Sequence, residues 1–393
     1  MHENFHPEIL VPPRDAVKPA FECANVPLFL GCDDRFFMHA VTVVASVLEH
    51  ATPENNYDVI IAQTGVPKAK LARAAAWAER FPNARLRFVD MTGMIERYGV
   101  KDLNTTAAWS TAVYFPILAP ETFREYDRIL YLDSDLLVFA DVADLYRTDL
   151  AGKSMAVCHD FPWELNQARD PEQMRWWRED FGMDIGDVIF NSGVMVMDLA
   201  RMRRLEAVKK VLEMARRMKA PKRADQDVLN AAFRNDVVFL SSEWNYHNWM
   251  TDPSEKSFFF DYMDEPALAE IRAKRDRVKI LHLTEKKPWS LGYEGQNDDL
   301  YWRYAAKTPF HREIMDELGR ECTTARYLVL TMQGWNFGLR AALAKDDKKK
   351  KYTKKHRTVE YRKRNILAYR RRRGELKGQT PPDAPTQERS RKE

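Results

Sequence analysis

From Pro27 onward, short runs of β-branched and aromatic residues take turns with stretches whose apolar positions recur at helical spacing. That order is the mark of a largely parallel sheet covered by helices. Residues 28–31 read as a first strand ending at Asp33 and Asp34, and 36–50 as a helix. Residues 57–64 read as a second strand, 66–80 as an alanine-rich helix with Pro67 near its start, and 85–91 as a third strand. Helical spacing returns over 110–120. The apolar run 128–132 then stops at two carboxylates before 136–139 resumes it. Further strands are expected at 155–158, 188–197, 237–240 and 278–283, with one long charged helix over 200–219. Residues 159–187 and 243–276 hold Trp163, Trp176, Trp177, Trp244 and Trp249, and loops of that length are usually lids or binding walls. After 310 the pattern is helical, and from 374 the composition is that of a disordered end. The expected division is an extension over 1–25, an α/β domain over 26–310, a helical basic segment over 311–373 and a tail over 374–393.

Composition adds little to that picture until charge is mapped along the chain. With 393 residues, 45% of them apolar and 31% charged, the chain can bury a sizeable core. Its net charge of +4 conceals an asymmetry, because residues 345–373 hold 15 Lys and Arg against 3 Asp and Glu. The remainder therefore carries −8, an acidic body with a basic end that suits a polyanionic surface. The four cysteines form no C-x-x-C pair, which suits a reducing compartment and speaks against structural zinc. No basic start followed by an apolar run precedes Pro27, and no apolar stretch approaches the ~20 residues of a membrane span. A cytoplasmic protein, peripheral on the inner face of the membrane, is expected.

The sharpest chemical signal is Tyr131-Leu132-Asp133-Ser134-Asp135. Two carboxylates one residue apart, directly after a buried strand, suit a hard divalent cation bridging a diphosphate, where the ion offsets charge on a leaving group. The competing reading is a turn in which either Asp caps backbone groups. His282 follows the apolar run 278–281 and could be a third ligand to a borderline ion such as Mn²⁺, with Mg²⁺ the second choice. Asp33 and Asp34 could equally cap the helix that follows, Asn191-Ser192-Gly193 could be a β-bulge, and Asp225 could cap the helix through Phe233.

Taken together and in order, these blocks resemble the family 8 retaining glycosyltransferases, the group of bacterial lipopolysaccharide galactosyl- and glucosyltransferases and glycogenin. The matching residues are Phe29 to Asp34, Ala112-Val113-Tyr114, Ile129 to Asp135, Phe190 to Val194, Ala224 to Asn230 and His282 to Trp289. The resemblance covers about residues 26–310 and implies a GT-A fold, a Rossmann-like mixed and mostly parallel sheet flanked by helices. It implies Mn²⁺ held by Asp133, Asp135 and His282, and a UDP-sugar donor whose nucleotide is met by Asp33, Asp34, Tyr114 and Ser134 and whose diphosphate is met by Lys287. It also implies Asn191 facing donor sugar and acceptor, with Asp225 and Gln226 beneath the sugar. Two departures stand out. Pro116 occupies the usual place of an arginine, removing a bidentate donor, and the stretch from His282 to Lys287 lacks the usual glycine and is one residue shorter.

Retention of configuration requires either a nucleophile beneath the anomeric carbon or attack on the face the diphosphate leaves. Gln226 is a poor nucleophile, so front-face attack by the acceptor hydroxyl is expected. The acceptor expected from the family is a saccharide or lipid-linked glycan, and residues 345–373 are expected to dock on an anionic membrane. Two other classes were open at this level. A sugar nucleotidyltransferase would want a glycine-rich basic loop where Asp33 and Asp34 stand. A polyanion binder built on the basic segment conflicts with the acidic body, and no nucleic-acid module is recognisable.

Overall fold

A computed structural model describes residues 7–103, 110–161, 189–218, 223–253, 263–293 and 297–374, with isolated positions at 175, 177–179, 181, 182, 255 and 260. Trp163, Trp176 and the tail over 375–393 lie outside the described residues. The chain divides into two compact units, Met1–Glu285 with Gly295–His311, and Lys286–Glu294 with Arg312–Glu393.

The first unit is built on a sheet of eight strands, β1 (Ile9–Leu10), β2 (Asn25–Asp33), β3 (Asn56–Thr64), β4 (Ala84–Asp90), β5 (Arg128–Leu132), β7 (Met155–His159), β8 (Phe190–Asp198) and β9 (Val237–Leu240). Their spatial order is β1-β4-β3-β2-β5-β8-β7-β9, parallel except where β8 runs against β5 and β7. β2 and β5 are largely apolar, β3 is apolar over residues 59–62, and all three are buried along most of their length, as a sheet covered on both faces requires. A second sheet pairs β10 (Tyr246–His247), β11 (Ile280–His282) and β6 (Leu136–Val138), with β11 antiparallel to β6.

This topology makes a crevice. Strand order runs one way from β2 to β3 and β4 and the other way from β5, so the carboxyl ends of β2 and β5 flank the switch point where ligands of such sheets bind. β8 enters antiparallel, so its amino end, Phe190 to Gly193, lies at the same edge, and the Asp133 N–H donates to the Gly193 carbonyl at 2.8 Å. The β11–β6 register sets His282 opposite Leu136, and the Leu283 N–H donates to the Asp135 carbonyl at 2.9 Å. Three strand ends distant in sequence are thereby clamped to one turn.

Two helical readings change. The helix expected over 200–219 is two, Leu199–Arg204 and Ala207–Arg217, separated by Glu206 with φ 52°. The buried Leu199 and Met202 are out of phase with the buried Val208, Val211, Leu212 and Ala215 by about half a turn at 3.6 residues per turn, and the left-handed residue resets the face. The stretch 110–120 is a 3-10 turn, Thr111–Tyr114, followed by an α-helix, Phe115–Thr122, whose first turn contains Pro116, where a missing N–H costs nothing. β1 and β10 were not anticipated.

The second unit is helical. Thr324–Leu343 and Asp346–Arg372 form an antiparallel hairpin in which His356 sits against Gly334 and Gly338, its Nδ1 2.9 Å from the Gly334 carbonyl. Asn365, buried, accepts from the Gly292 N–H at 2.8 Å and donates to the Tyr293 carbonyl at 3.2 Å, tying the segment 286–293 to the second helix.

Candidate active site

At the mouth of the crevice, Asp133, Asp135 and His282 present ligand atoms that all lie within 4.8 Å of one another. His282 Nε2 is 3.2 Å from Asp135 Oδ1 and 3.7 Å from Asp133 Oδ2. The imidazole is 5% exposed, whereas the two carboxylates remain partly open. Two oxygens and one nitrogen converging from an aqueous opening are the donor set that a borderline divalent ion takes while keeping places for water or phosphate oxygen. The residues therefore fit such an ion.

Asp133, the Asp-Ser-Asp turn and His282 are held from behind. Tyr131, buried, donates its hydroxyl to Asp133 Oδ1 at 2.6 Å, and burial followed by the Asp133 charge raises its phenol well above the ordinary range. The Ser134 hydroxyl donates to the Gly31 carbonyl at 2.9 Å, fixing the Asp-Ser-Asp turn to the end of β2. His282 Nδ1 is 2.9 Å from Asn245 Oδ1, and Asn245 Nδ2 donates to Asn191 Oδ1 at 2.8 Å. Asn191 Nδ2 donates to Gln226 Oε1 at 3.1 Å, and Gln226 Nε2 donates to Asp160 Oδ2 at 2.8 Å. Asp160 is fully buried and paired with Arg223.

Gly193 explains why the ligands can approach one another. A Cβ built there would stand 2.6 Å from His282 Cε1 and 2.7 Å from Asp133 Oδ2. The pairing of β7 and β8 also slips between Val157 and Cys158, so the Asn191-Ser192-Gly193 stretch is irregular and site-forming at once.

The remaining sequence-derived positions fall as follows. Asp225 lies in the first turn of the helix Ala224–Phe233, not at its cap, and its carboxyl is pushed well above the ordinary range by burial first and by Asp133 second. Gln226 is buried with its Oε1 already accepting from Asn191 and from the Ser192 N–H at 3.3 Å. Asp33 caps the helix Asp34–Glu49 through the N–H groups of Arg35 and Phe36 at 3.0 and 3.2 Å, and Lys70 pairs with Asp34 at 2.6 Å. The Tyr114 ring is buried, and burial first, then Asp225 and Asp227, push its hydroxyl up to about 12. Lys287 belongs to the second unit, where its N–H donates to Ser290 Oγ at 3.2 Å. Trp177, Trp244 and Trp249, expected in loop walls, are buried.

Sequence reasoning passed over Asn245, Asp160 and Tyr131. Asp160 carried a usable signal, since it directly follows β7 at the carboxyl edge of the sheet. Asn245 carried none, being one polar residue in a long irregular stretch.

Comparison with known proteins identifies the family and the fold. A sequence profile described as Glycosyl transferase family 8 matches residues 27–291. Glycosyltransferase GlyE of Streptococcus pneumoniae serotype 4 is 24% identical over 210 residues, which is 50% of this chain and 43% of the relative. The lipopolysaccharide 1,2-glucosyltransferase of Escherichia coli K12 is 30% identical over 149 residues, 36% of this chain and 40% of the relative. The chain thus spans less than half the length of these curated relatives. Among solved structures, the apo bifunctional glycosyltransferase WbbM aligns with a TM-score of 0.68 at 24% identity, over 77% of this chain and 53% of that one. The galactosyltransferase LgtC, solved with donor and acceptor sugar analogues, aligns with a TM-score of 0.58 at 22% identity, over 72% of this chain and 96% of that one. Both likenesses show the GT-A fold.

Proposed function

The chain belongs to glycosyl transferase family 8, and from that membership we propose that it is a retaining hexosyltransferase taking its sugar from a UDP-sugar donor. The observation that carries the reading is the convergence of Asp133, Asp135 and His282 at the switch point of the sheet. Those three side chains would hold Mn²⁺, which supplies positive charge against a leaving diphosphate. Asp33, Asp34, Tyr114 and Ser134 are the proposed nucleotide contacts, and Lys287 the proposed diphosphate contact.

Under this reading, attack comes from the face the diphosphate leaves. Gln226 is neutral and its oxygen is occupied by two donors, so it offers no nucleophile. Asp225 and Gln226 instead line the sugar's lower face, and Asn191 lies between sugar and acceptor. The acceptor hydroxyl's proton goes to the departing phosphate. Trapping a covalent glycosyl adduct on Asp225 or Asp227 during turnover would contradict this order of events.

The acceptor we propose is a saccharide or lipid-linked glycan at the inner face of a membrane, reached from the cytoplasm. Support comes from the helix Thr324–Leu343, where Leu328, Met332, Trp335, Leu339 and Leu343 are 57 to 77% exposed and share one face. That helix contains no Asp or Glu, and its partner Asp346–Arg372 carries 13 Lys and Arg against 3 acids. An apolar stripe with a tryptophan, beside a basic helix, suits insertion into the headgroup layer of an anionic bilayer, where each basic residue adds about 1 kcal/mol. No helix among the described residues is long and apolar enough to cross a membrane.

Incubation with Mn²⁺ and a panel of nucleotide sugars, with nucleoside diphosphate release as the readout, tests the activity. Asp135→Ala should lose about 100-fold or more, the several kcal/mol that a bound cation contributes. Release that is indifferent to Mn²⁺ and to Asp135→Ala would remove the basis of the assignment.

A further inference from the structure

Two carboxylates and an imidazole can share a cation only if the ring nitrogen facing them is a bare lone pair, and a neutral imidazole carries its one proton on either nitrogen. We propose that Asn245, backed by a polarised chain of amides ending at Asp160, is a positioning residue that fixes the His282 proton on Nδ1 and so leaves Nε2 open toward Asp133 and Asp135.

The direction of the chain follows from groups whose roles cannot reverse. Asp160 as a carboxylate only accepts, so Gln226 must turn its amide nitrogen toward it, at 2.8 Å. Gln226 Oε1 then faces β8, where it meets the Ser192 N–H at 3.3 Å, a backbone donor that independently demands an oxygen there. Asn191 Nδ2 supplies the second donor to that oxygen at 3.1 Å. Asn191 Oδ1 is therefore turned the other way, and again a backbone group agrees, since the Gly193 N–H donates to it at 2.9 Å. Asn245 Nδ2 donates to the same oxygen at 2.8 Å, which leaves Asn245 Oδ1 facing His282 Nδ1 at 2.9 Å. Oxygen against nitrogen at that distance requires the proton on Nδ1. In the neutral ring Nε2 is then the nitrogen with the lone pair, at 3.2 and 3.7 Å from the two carboxylates.

Without this chain the ring has a competing choice. A proton on Nε2 could be donated to Asp135, satisfying both groups and filling the place of a ligand. The chain removes that option over four side chains, from the Arg223-paired Asp160 through Gln226 and Asn191 to Asn245. Partners of this kind behind a metal-bound histidine commonly contribute 10- to 100-fold in metal affinity, roughly. The inference rests on the proposed cation site for its purpose and on the hydrogen-bond geometry alone for its content.

The test uses metal-free full-length protein labelled with ¹⁵N-histidine, with His282→Asn to identify the signal, and reads the tautomer from long-range ¹H–¹⁵N correlations. Wild-type His282 should show the Nδ1–H pattern, a measurement that needs no folded variant at Asn245. Asn245→Ala should shift the ring toward Nε2–H and weaken Mn²⁺ binding, read from the electron paramagnetic resonance of free Mn²⁺, by about 10- to 100-fold. Asn245→Asp keeps an oxygen against Nδ1 but sets its other oxygen against Asn191 Oδ1, so it should recover the tautomer with only part of the affinity. An Nε2–H wild-type ring, or an Asn245→Ala protein with unchanged tautomer and affinity, overturns the proposal. Failure of wild-type protein to bind Mn²⁺ would instead count against the cation site, and the tautomer would still judge the chain.

Discussion

At the scale of single residues, the site depends on a position with no side chain. Gly193→Ala would drive a methyl into His282 Cε1 and Asp133 Oδ2, both inside 2.8 Å, and neither can retreat without leaving the triad. The expected outcome is loss of Mn²⁺ binding by calorimetry with the circular dichroism of the folded protein retained. Cysteine reactivity gives a second reading of the same packing. Burial raises the thiols of Cys32, Cys158 and Cys322 above the ordinary range, whereas Cys23 is exposed, so maleimide at neutral pH should label Cys23 and spare the other three in folded protein. The convergence of Asp133, Asp135 and His282 was legible because motif and strand end coincide in the sequence. Asn245 was not, because a hydrogen bond between distant loops leaves no periodic trace, whereas the signal at Asp160, directly after β7, went unused.

At the scale of elements, strands with strong apolar character were read to the residue, as at the buried Arg128–Leu132 and the partly exposed edge strand Val237–Leu240, because polar residues bound each apolar run sharply. The two-residue strands β1 and β10 are too short for any period to register, yet β10 and β11 are what carry His282 to the crevice. The helix over 200–219 showed the reverse error, since continuous helical composition masked a change of buried face at Glu206. One helix end also reports on pH. His50, the C-cap of the helix Asp34–Glu49, stands 3.2 Å from the Tyr304 hydroxyl, and burial holds its imidazole below the ordinary range. A lowered folded value means that the unfolded chain binds the proton first, so this contribution is complete above about pH 6.5 and declines as pH falls toward the lower folded value. Urea midpoints measured from pH 7.5 to 5 should fall, and His50→Gln should flatten that part of the profile.

At the scale of the whole chain, charge is segregated, since residues 345–373 are strongly basic and the remainder is acidic. The hairpin was legible as a charge run, but its apolar stripe was not, because Leu328 to Leu343 reads like any buried helix until the structure leaves that face uncovered. Replacing Trp335 and Leu339 with serine should abolish flotation with anionic vesicles while leaving Mn²⁺-dependent release of nucleoside diphosphate unchanged. Surface substitutions are the cleaner choice. Truncation before the second helix would also remove Asn365, which holds Gly292 and Tyr293, and Asn365→Leu alone should lower thermal stability by about 1–3 kcal/mol. The central claim concerns one cation at one place. Crystals grown with Mn²⁺ and measured at its absorption edge should show an anomalous peak bonded to Asp133, Asp135 and His282 Nε2, whereas a peak bonded elsewhere, or no peak at millimolar Mn²⁺, would contradict it.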